Sequence, residues 1–349
     1  MPLRLRIATF NLENFDDEPN EEGEPSLEER IALMRPQLAR VDADVLCLQE
    51  VNGQKEQEDS PRRLLALEKL VEGTQYADYE VVSTKLADGS GPYDERNLVV
   101  LSRFEVAEHD QYRHVYAHPP YYRTVTDKDP DEEVDEEKLK EEAEKVGWER
   151  PILHVKIEVG EKLLHVLNLH LKSKIPTDIP EQKKDNYTWK TASGWAEGFF
   201  LSSVKRVGQA LETRMLVDEI FHEDERALIV VCGDFNADTD DVPLQAIRGD
   251  VESHGNPELA PRVLVPTEKS IPESARYSLL YLGQGEMIDH LLVSRDLLQH
   301  HKSSEIHNEF LHDESIAFAT DIKYPESDHA PVIAEFELPD GDQPYSVVQ

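Results

Sequence analysis

The chain of 349 residues carries 37 lysines and arginines against 72 aspartates and glutamates, a formal net charge of −35. Hydrophobic residues make up 39% of it, a share typical of a globular protein with a sizeable core. No stretch approaches the roughly 18 consecutive apolar residues that a membrane span requires. Because a field this negative repels polyanions at long range, a nucleic-acid partner would have to be held by local positive charge or by metal.

Two features bear on the cellular compartment. A strand is predicted from about Leu5, which leaves no room for a cleavable signal peptide if Met1 is the native start. We therefore expect a cytoplasmic protein, and a secreted one only if a leader has been trimmed. The two cysteines, Cys47 and Cys232, lie in apolar strand-like runs and are predicted to be buried free thiols.

Two strands predicted near the start of the chain end in polar side chains. Residues 4–10 read as a strand that leads to Asn11. Residues 43–51 form a second, buried strand that ends in Gln49 and Glu50. A carboxylate at such a point is either a metal ligand or the partner of a basic neighbour.

Three helices are predicted from caps and periodicity. Ser26 and Glu29 form a capping box before a helix that reaches about residue 39. A second helix is predicted near residues 62–72, and residues 202–221 have the amphipathic spacing of a third.

The stretch from Leu228 onward predicts the central strand of the fold. Residues 228–232 are a continuous apolar run rich in β-branched side chains, which is typical of a strand buried on both faces. Gly233 allows the chain to turn as it leaves the sheet. Asp234 and Asn236 follow two residues apart, so strand alternation points both side chains the same way. A carboxylate and an amide at the end of a central strand suit hard-cation and phosphate chemistry.

The two halves of the chain repeat one order of elements. In the first half Asn11 ends a strand, a helix follows, and the next strand ends in Glu50. In the second half a strand at residues 163–171 ends in His170, a helix follows, and the next strand ends in Asp234. The repeat predicts an α/β (α+β) fold, a four-layer α/β/β/α sandwich in which two packed mixed β-sheets are flanked by helices.

The pattern contains no linker, so a single catalytic domain is predicted over residues 1–340, with residues 341–349 as a tail. Residues 127–147 are dominated by Glu, Asp and Lys at helical spacing. This stretch is predicted to be an exposed, acidic helical insertion.

Two later segments add acids and a histidine. Residues 287–293 form a predicted buried strand that carries Asp289. The sequence Ser-Asp-His-Ala-Pro at residues 327–331 contains Asp328 and His329 and precedes a further strand.

One region is locally basic. Residues 172–206 contain seven basic and four acidic side chains, a local net charge of +3, and five aromatic residues are interleaved with them. Basic and aromatic side chains together suit a strand of nucleic acid, through phosphate contacts and base stacking. The alternative is a loop whose aromatic side chains pack on the core.

Polar groups at these strand ends supply the parts that phosphoester hydrolysis needs. Carboxylates and amides hold Mg²⁺ through oxygen ligands, and the metal polarises the phosphoryl oxygen. Histidine is the side chain best suited to activate water at neutral pH. An acid bonded to that histidine fixes its tautomer and stabilises the imidazolium.

Six segments, in this order, resemble the motifs of the endonuclease/exonuclease/phosphatase superfamily. They are Thr-Phe-Asn-Leu-Glu-Asn at 9–14, Leu-Gln-Glu-Val at 48–51, Asn-Leu-His-Leu-Lys-Ser at 168–173, Gly-Asp-Phe-Asn at 233–236, Ile-Asp-His at 288–290 and Ser-Asp-His-Ala-Pro at 327–331. The resemblance spans nearly the whole chain. It implies a metal-dependent phosphoester hydrolase.

The resemblance implies a metal site of oxygen ligands. Asn11, Glu50 and Asp328 would contribute to it, with Mg²⁺ as the expected ion and Mn²⁺ as one that accepts the same ligands. Asp234 and Asn236 would orient the nucleophilic water and the scissile phosphate.

The resemblance also assigns the histidines. His329 would be the general base or a phosphate contact, held by Asp289. His170 matches the second histidine of the pancreatic-type deoxyribonucleases, and Glu95 resembles the acid that supports that histidine there.

The subfamily is constrained by three positions. Inositol-polyphosphate phosphatases carry Cys-Asp-Arg where this chain has Ile-Asp-His at 288–290, and abasic-site endonucleases usually have tyrosine in place of His170. The run His-Leu-Lys-Ser-Lys from His170 looks most like bacterial secreted and related nucleases. It makes Lys172 and Ser173 candidate contacts to the substrate phosphate.

The sequence predicts a monomeric Mg²⁺-dependent phosphodiesterase that hydrolyses nucleic acid. The alternative is a phosphatase or phospholipase-type phosphodiesterase acting on a small molecule or a lipid headgroup, which the acidic surface favours. A third hypothesis is a catalytically silent relative that serves as a binding module. Against it, Glu50, Asp234, Asp289 and His329 are all present.

Overall fold

The structure, a computed structural model, describes residues 2–17, 23–126, 142–320 and 322–339. Its strands in chain order are β1 (Leu3–Phe15), β2 (Val45–Val51), β3 (Glu80–Ser83), β4 (Asn97–Ser102), β5 (Val106–Tyr112), β6 (Tyr121–Tyr122), β7 (Glu144–Lys145), β8 (Ile152–Val159), β9 (Lys162–His170), β10 (Leu228–Asp234), β11 (Val265–Pro266), β12 (Leu279–Tyr281), β13 (Gln284–Glu286), β14 (Asp289–Val293), β15 (His301–Ile306) and β16 (Val332–Leu338). Its α-helices are α1 (Leu27–Val41), α2 (Leu65–Val71), α3 (Ala192–Glu223), α4 (Val242–Arg248), α5 (Val251–His254), α6 (Arg295–Leu298) and α7 (Glu314–Thr320).

Two six-stranded mixed sheets form the centre of the molecule. The strand order is β15-β16-β1-β2-β4-β3 in the first sheet and β11-β14-β10-β9-β8-β5 in the second. Each sheet contains a parallel pair, β1 with β2 and β9 with β10, and a helix connects the two strands of each pair. This arrangement matches the internal repeat that the sequence predicts.

Three apolar layers hold the sandwich together. Side chains such as Ile7 and Val230 fill the space between the two sheets. The apolar face of α1 and α2 packs on the outer face of the first sheet, and α3 and α4 pack on the second. The predicted four-layer α/β/β/α architecture is therefore confirmed. Cys47 and Cys232 are buried free thiols in the layer between the sheets, as predicted.

The predicted helices are present with altered bounds. Ser26 and Glu29 make both hydrogen bonds of the capping box, and α1 continues through Pro36 to Val41. Helix α3 begins ten residues earlier than predicted, at Ala192. Glycines in its first turns disfavour a helix. Thr191 caps it, and Glu197 in its second turn accepts hydrogen bonds from a neighbouring loop, as described below. None of the helices described is long and apolar enough to cross a membrane.

The acidic stretch at residues 127–147 is predicted from the sequence to be helical, and the part of it that the structure describes is not. Residues 127–141 lie outside the described part of the chain. Glu144 and Lys145 form strand β7 paired with β6, not a helix. The reason is tertiary: Val146 and Trp148, which follow, are buried and hold this segment extended beside α3.

Two buried glutamates anchor that segment to α3. Glu197 accepts hydrogen bonds from the backbone N–H groups of Val125 and Thr126 and from the hydroxyl of Tyr122. Glu212 accepts bonds from the backbone of residues 114–116 and from the indole N–H of Trp148. Helix α3 therefore positions the connection between β5 and β8.

Candidate active site

The polar ends of both parallel strand pairs meet at one edge of the sandwich. Asp234 lies opposite His170 of β9 and opposite Asp289 of β14. Gly233 makes this approach possible, because its φ of +137° is unfavourable for other residues and a Cβ atom would lie 2.0 Å from the carbonyl oxygen of Leu169. Only glycine fits at this position.

Asp234 is the centre of a dense hydrogen-bond network. Its Oδ2 accepts bonds from Asn11 Nδ2 at 3.1 Å and from Asn236 Nδ2 at 3.0 Å, and lies 3.1 Å from His170 Nε2. Its Oδ1 accepts the backbone N–H of Asn236 at 2.9 Å. Burial alone would raise the pKa of Asp234, but His170, His329 and the Asn236 N–H outweigh it and hold this pKa below the usual range. Asp234 is therefore a stable carboxylate despite full burial.

His329 and Asp289 form a buried pair. Their Nδ1 and Oδ2 atoms are 2.7 Å apart, so Nδ1 donates and Nε2 faces the centre, 4.0 Å from Asp234 Oδ2 and 3.7 Å from Asp328 Oδ1. Burial lowers the pKa of His329, but the charges of these three carboxylates raise it well above the usual value. The structure therefore pairs His329 with Asp289, and their roles as proton-transfer histidine and orienting acid stay a prediction.

His170 lies between two carboxylates. Its Nε2 is 3.1 Å from Asp234 Oδ2 and 3.5 Å from Glu50 Oε1, while its Nδ1 is buried without a hydrogen-bond partner among the described residues. Burial and the nearby charge of Arg150 lower the pKa of His170. A neutral imidazole here donates its Nε2 proton to the carboxylates and fixes their relative position.

A group of three carboxylates lies beside this centre. One oxygen each of Glu13, Glu314 and Asp328 lies within 4.8 Å of the others. Burial raises the pKa of Glu13 to about 7, and burial together with Glu13 raises the pKa of Asp328 well above its usual value. The sequence analysis missed two of the three. Glu13 follows Asn11 by two residues in the same segment, a signal that could have identified it, whereas nothing in the sequence around Glu314 indicates a site.

These residues fit a divalent cation. Asp289 Oδ1 and Asp328 Oδ1 are buried and have no hydrogen-bond partner within the described ranges. Carboxylates that raise each other's pKa are the groups that a cation stabilises, and oxygen donors suit Mg²⁺ or Mn²⁺. Asp234, Asp289 and His329 form a second group whose ligand atoms lie within 4.8 Å of one another.

Asn11 lies at the centre. Its Oδ1 accepts the backbone N–H of Glu13 at 2.9 Å, and its Nδ2 donates to Asp234. In this orientation Asn11 positions Asp234 as a hydrogen-bond donor, and the metal-binding role that the resemblance implies for it stays a prediction. Glu50 keeps one oxygen toward His170 while the other accepts the backbone N–H of Asn14.

Glu95 does not support His170. It is exposed, and His170 contacts Glu50 and Asp234 instead. The reason is the backbone: Arg96 has a φ of +59°, and its N–H donates to Asn52 Oδ1, which turns the segment outward. The role that the resemblance gave Glu95 is therefore wrong in this chain.

Lys172 and Ser173 lie beside the centre but are paired with each other. Lys172 Nζ donates to Ser173 Oγ at 2.9 Å and to the carbonyl of Ile175 at 3.3 Å. The cation that sequence reasoning missed is Arg150, whose guanidinium contacts the carbonyl oxygens of His170 and Leu171 at 3.5 and 3.4 Å. Its contacts form only in the folded sheet, so the sequence gives no signal for it.

The locally basic region is largely neutralised by neighbouring acids. Lys183 pairs with Asp178 at 2.8 Å, and Lys205 pairs with Glu149 at 2.6 Å. Its aromatic side chains are mostly exposed; Tyr187 is 79% exposed. The alternative that they pack on the core is therefore wrong for most of them.

The two-sheet sandwich with a histidine–carboxylate centre at one edge defines a class of nuclease- and phosphatase-type hydrolases that act on phosphoesters. The chain belongs to the Endonuclease/Exonuclease/phosphatase family, whose model matches residues 8–329. No curated protein sequence matches it.

Solved structures with the same fold are distant in sequence. The 3′ phosphatase NExo from Neisseria, bound to a product DNA hairpin, is 17% identical, with a TM-score of 0.52 over 95% of this chain and 99% of that one. Truncated TDP2 from Caenorhabditis elegans is 15% identical, with a TM-score of 0.53 over 96% and 98%. A family protein from Bacteroides thetaiotaomicron is 17% identical, with a TM-score of 0.55 over 97% and 96%. At these identities the likeness establishes the fold alone.

Proposed function

We propose that the protein is a metal-dependent phosphodiesterase that hydrolyses nucleic-acid phosphodiester bonds. The observation that supports it most is the buried His329–Asp289 pair, whose Nε2 lies 3.5 Å from Asn11 Nδ2 and faces the carboxylate of Asp234. This is the geometry needed to move a proton next to an anion-binding centre. His170 and Glu50 complete the same edge of the sandwich.

Each residue of the centre has a task in hydrolysis by water. His329 Nε2 exchanges a proton with the attacking water, and Asp289 stabilises the imidazolium that results. Asp234 and Asn236, joined by two hydrogen bonds, orient that water against the scissile phosphate. His170, neutral, holds Asp234 and Glu50 at a fixed separation. Arg150 lies close enough to Glu50 and Asp234 to interact with their charges, and offers positive charge to the phosphate.

Glu50, Asp328 and Glu13 would hold the metal ion, Mg²⁺ or Mn²⁺. When bound, the ion supplies Lewis-acid polarisation of the phosphate and offsets charge on the leaving oxygen. The unpartnered oxygen of Asp328 and the raised pKa of Glu13 support this assignment.

Nucleic acid is favoured as substrate by exposed aromatic side chains. The rings of Trp195 and Phe199 stack at a centroid distance of 5.6 Å and are both exposed, as is Tyr187. Aromatic faces of this kind can stack on bases without long-range attraction of phosphates. Two solved structures of this fold are described as a 3′ phosphatase bound to a DNA hairpin and an AP endonuclease from Archaeoglobus fulgidus.

A small-molecule or lipid phosphodiester is the second candidate, and two observations favour it. Several lysines of the locally basic region are paired with acids, as Lys174 is with Glu286, which shortens any cationic track along the described residues. The hairpin formed by β12 and β13 exposes Leu282 at its tip, 67% exposed, next to Tyr281. An exposed apolar hairpin tip suits insertion into a lipid surface.

The test is hydrolysis of supercoiled plasmid and of bis-(p-nitrophenyl) phosphate, with Mg²⁺ and with EDTA. His329→Ala is the inactive variant, and His222→Ala, at an exposed position on α3, is the matched control. Nicking of plasmid that needs Mg²⁺, is lost in His329→Ala and is kept in His222→Ala supports the nuclease. Cleavage of the small diester with intact plasmid selects the second candidate. A wild type inactive on both substrates with either Mg²⁺ or Mn²⁺ contradicts the proposal.

A further inference from the structure

A second histidine–carboxylate pair is buried beside the centre, with its histidine one residue along β14 from Asp289. His290 and Glu268 are both fully buried, and His290 Nδ1 lies 2.6 Å from Glu268 Oε1. On the other side of the ring, His290 Nε2 lies 2.8 Å from the carbonyl oxygen of Ala237. Neither residue takes part in the chemistry described above.

The hydrogen bonds fix where the protons are. The carbonyl oxygen of Ala237 can only accept, so His290 Nε2 must carry a hydrogen. His290 Nδ1 then either donates to an ionised Glu268 or accepts from a protonated one. In both cases Glu268 is what keeps the Nε2 hydrogen directed at Ala237.

The pair is an unfavourable choice if packing is its only role. The second oxygen of Glu268 is buried with no hydrogen-bond partner among the described residues. Replacing a buried ion pair of this kind by well-packed apolar side chains is often neutral or stabilising. A sequence selected for stability alone has no need of it here.

The position of the pair indicates what it holds. His290 follows Asp289 along β14 and lies opposite Gly233 in the sheet register. Ala237 follows Asn236, which has a strained φ of +48°. His290 is therefore anchored in β14, the strand that carries Asp289, and its ring contacts the loop that carries Asp234 and Asn236.

We infer that His290, oriented by Glu268, is a positioning residue that fixes the loop of residues 234–237 against β14 and so sets the distance between Asp234 and Asp289. This inference rests on the proposed function. Its consequence is that loss of the Ala237 hydrogen bond lowers turnover more than substrate binding, because the groups that move act on the transition state.

The main test is the double variant His290→Phe with Glu268→Leu. Removing both partners leaves no unpaired charge, and the apolar pair fills the same space, so the protein should fold. We expect kcat on whichever phosphodiester the wild type cleaves to fall at least about tenfold, with KM within about twofold. Glu268→Gln should rescue: its amide N–H can donate to His290 Nδ1 and leave the Nε2 hydrogen in place, keeping kcat within about threefold.

The outcomes are distinct. A folded double variant whose kcat stays within about twofold of wild type overturns the inference, and so does a Glu268→Gln variant as impaired as the double variant. If the double variant does not fold, His290→Leu with Glu268→Gln decides: leucine donates nothing to the Ala237 carbonyl and glutamine leaves no buried charge, so an undiminished kcat overturns the inference. His165→Gln, a buried imidazole away from the centre, controls for general effects. A wild type without phosphoesterase activity contradicts the proposed function, and the inference falls with it.

Discussion

Gln49 Nε2 donates to Asn168 Oδ1 at 2.7 Å, a bond between the two sheets in which both side chains are fully buried. Asn168 in turn donates to the carbonyl oxygens of Leu48 and Val99 at 3.0 Å each. One side chain from the second sheet thus satisfies three groups of the first, directly beneath the candidate active site. The two halves of the site are held in register by polar contacts as well as by apolar packing.

Asn168→Leu should destabilise the protein by about 3 kcal/mol or more, because two buried carbonyl groups lose their side-chain donor and the buried Gln49 amide loses its inter-sheet acceptor. Urea unfolding followed by circular dichroism measures the loss. Asn308→Leu, at a partly buried asparagine that makes two backbone contacts, is the control and should cost less. A loss below about 1 kcal/mol for Asn168→Leu would show that the inter-sheet bonds contribute little.

Asp234→Asn should reduce turnover about a thousandfold or more while leaving the fold intact. An amide replaces one of the two acceptor oxygens by an NH2 group, so it cannot accept at both Oδ1 and Oδ2 as the carboxylate does. The measurement is kcat at saturating substrate, with secondary structure checked by circular dichroism. Asp178→Asn, at an exposed carboxylate, should be unaffected. Near-normal turnover of Asp234→Asn would remove Asp234 from the mechanism.

Stability should decrease as pH falls from about 6.5 toward 4, because of a buried histidine pair remote from the active site. His154 Nε2 and His165 Nδ1 are 3.1 Å apart, and burial lowers their pKa values to about 3 and about 4. Below about pH 6.5 the two histidines take up protons in the unfolded chain but stay neutral in the folded one. Their contribution to the free energy of unfolding is therefore complete above that pH and is lost as the pH falls.

Chemical denaturation at pH 7.5, 6 and 5 measures how the free energy of unfolding changes with pH. Each histidine contributes up to about 1.4 kcal/mol per pH unit to this slope. The double variant His154→Leu with His165→Leu should have a flatter profile over the same range. Identical slopes for the variant and the wild type would show that other groups govern acid sensitivity.

Removal of divalent metal should reveal a contribution of Glu13 to stability that decreases as pH rises from about 4.5 to about 7, opposite in sign to that of the histidine pair. The folded-state pKa of Glu13, about 7, lies above its unfolded value of about 4.3. The group therefore stabilises the fold below its unfolded pKa, and this contribution is lost as the carboxyl ionises. Adding Mg²⁺ at pH 7.5 should raise the melting temperature by mass action, by roughly 2 °C or more.

Asp328→Asn should remove most of that Mg²⁺ response and raise the melting temperature of the metal-free protein, because one of three mutually repelling carboxylates is gone. Differential scanning fluorimetry with EDTA and with Mg²⁺ separates the two effects. Asp59→Asn, at an exposed acid, is the control. An unchanged Mg²⁺ response in Asp328→Asn would place the ion elsewhere.

Glu212→Leu should destabilise the protein by about 3 kcal/mol or more, since the buried indole N–H of Trp148 and three partly buried backbone N–H groups lose their acceptor. Glu219→Leu, on the same helix but exposed, should cost far less. The fluorescence of Trp148, whose indole N–H bonds Glu212, reports local loosening before global unfolding. Equal costs for the two variants would contradict the anchoring role.

The strand ends could be read from the sequence because apolar runs lead directly into polar residues. Such runs precede Asp234, Asn236 and His170. In the structure, Asp234 Oδ2 lies within hydrogen-bond distance of both Asn236 Nδ2 and His170 Nε2. Strands β5 and β15 gave no such pattern. They are edge strands with mostly polar, exposed side chains, so alternation carries no signal.

Residues recruited by tertiary contacts could not be read in this way. Glu314 reaches the carboxylate group from a short helix after β15, and Arg150 reaches the centre from the residue pair before β8. Glu95 failed for a local reason, the left-handed backbone of Arg96. The resemblance located the strand ends correctly but could not supply the geometry of individual loops.

Strand β16, close to the C-terminal end of the described chain, is inserted between β15 and β1. Asn11 and His329 meet although 318 positions separate them along the chain. A contact order this high slows folding, because the chain must close its largest loop before β1 gains its second neighbour. During synthesis the edge of β1 stays unpaired until residues 332–338 have left the ribosome. The nascent protein should therefore depend on chaperones until late in its synthesis. The candidate catalytic centre should be among the last parts of the molecule to form.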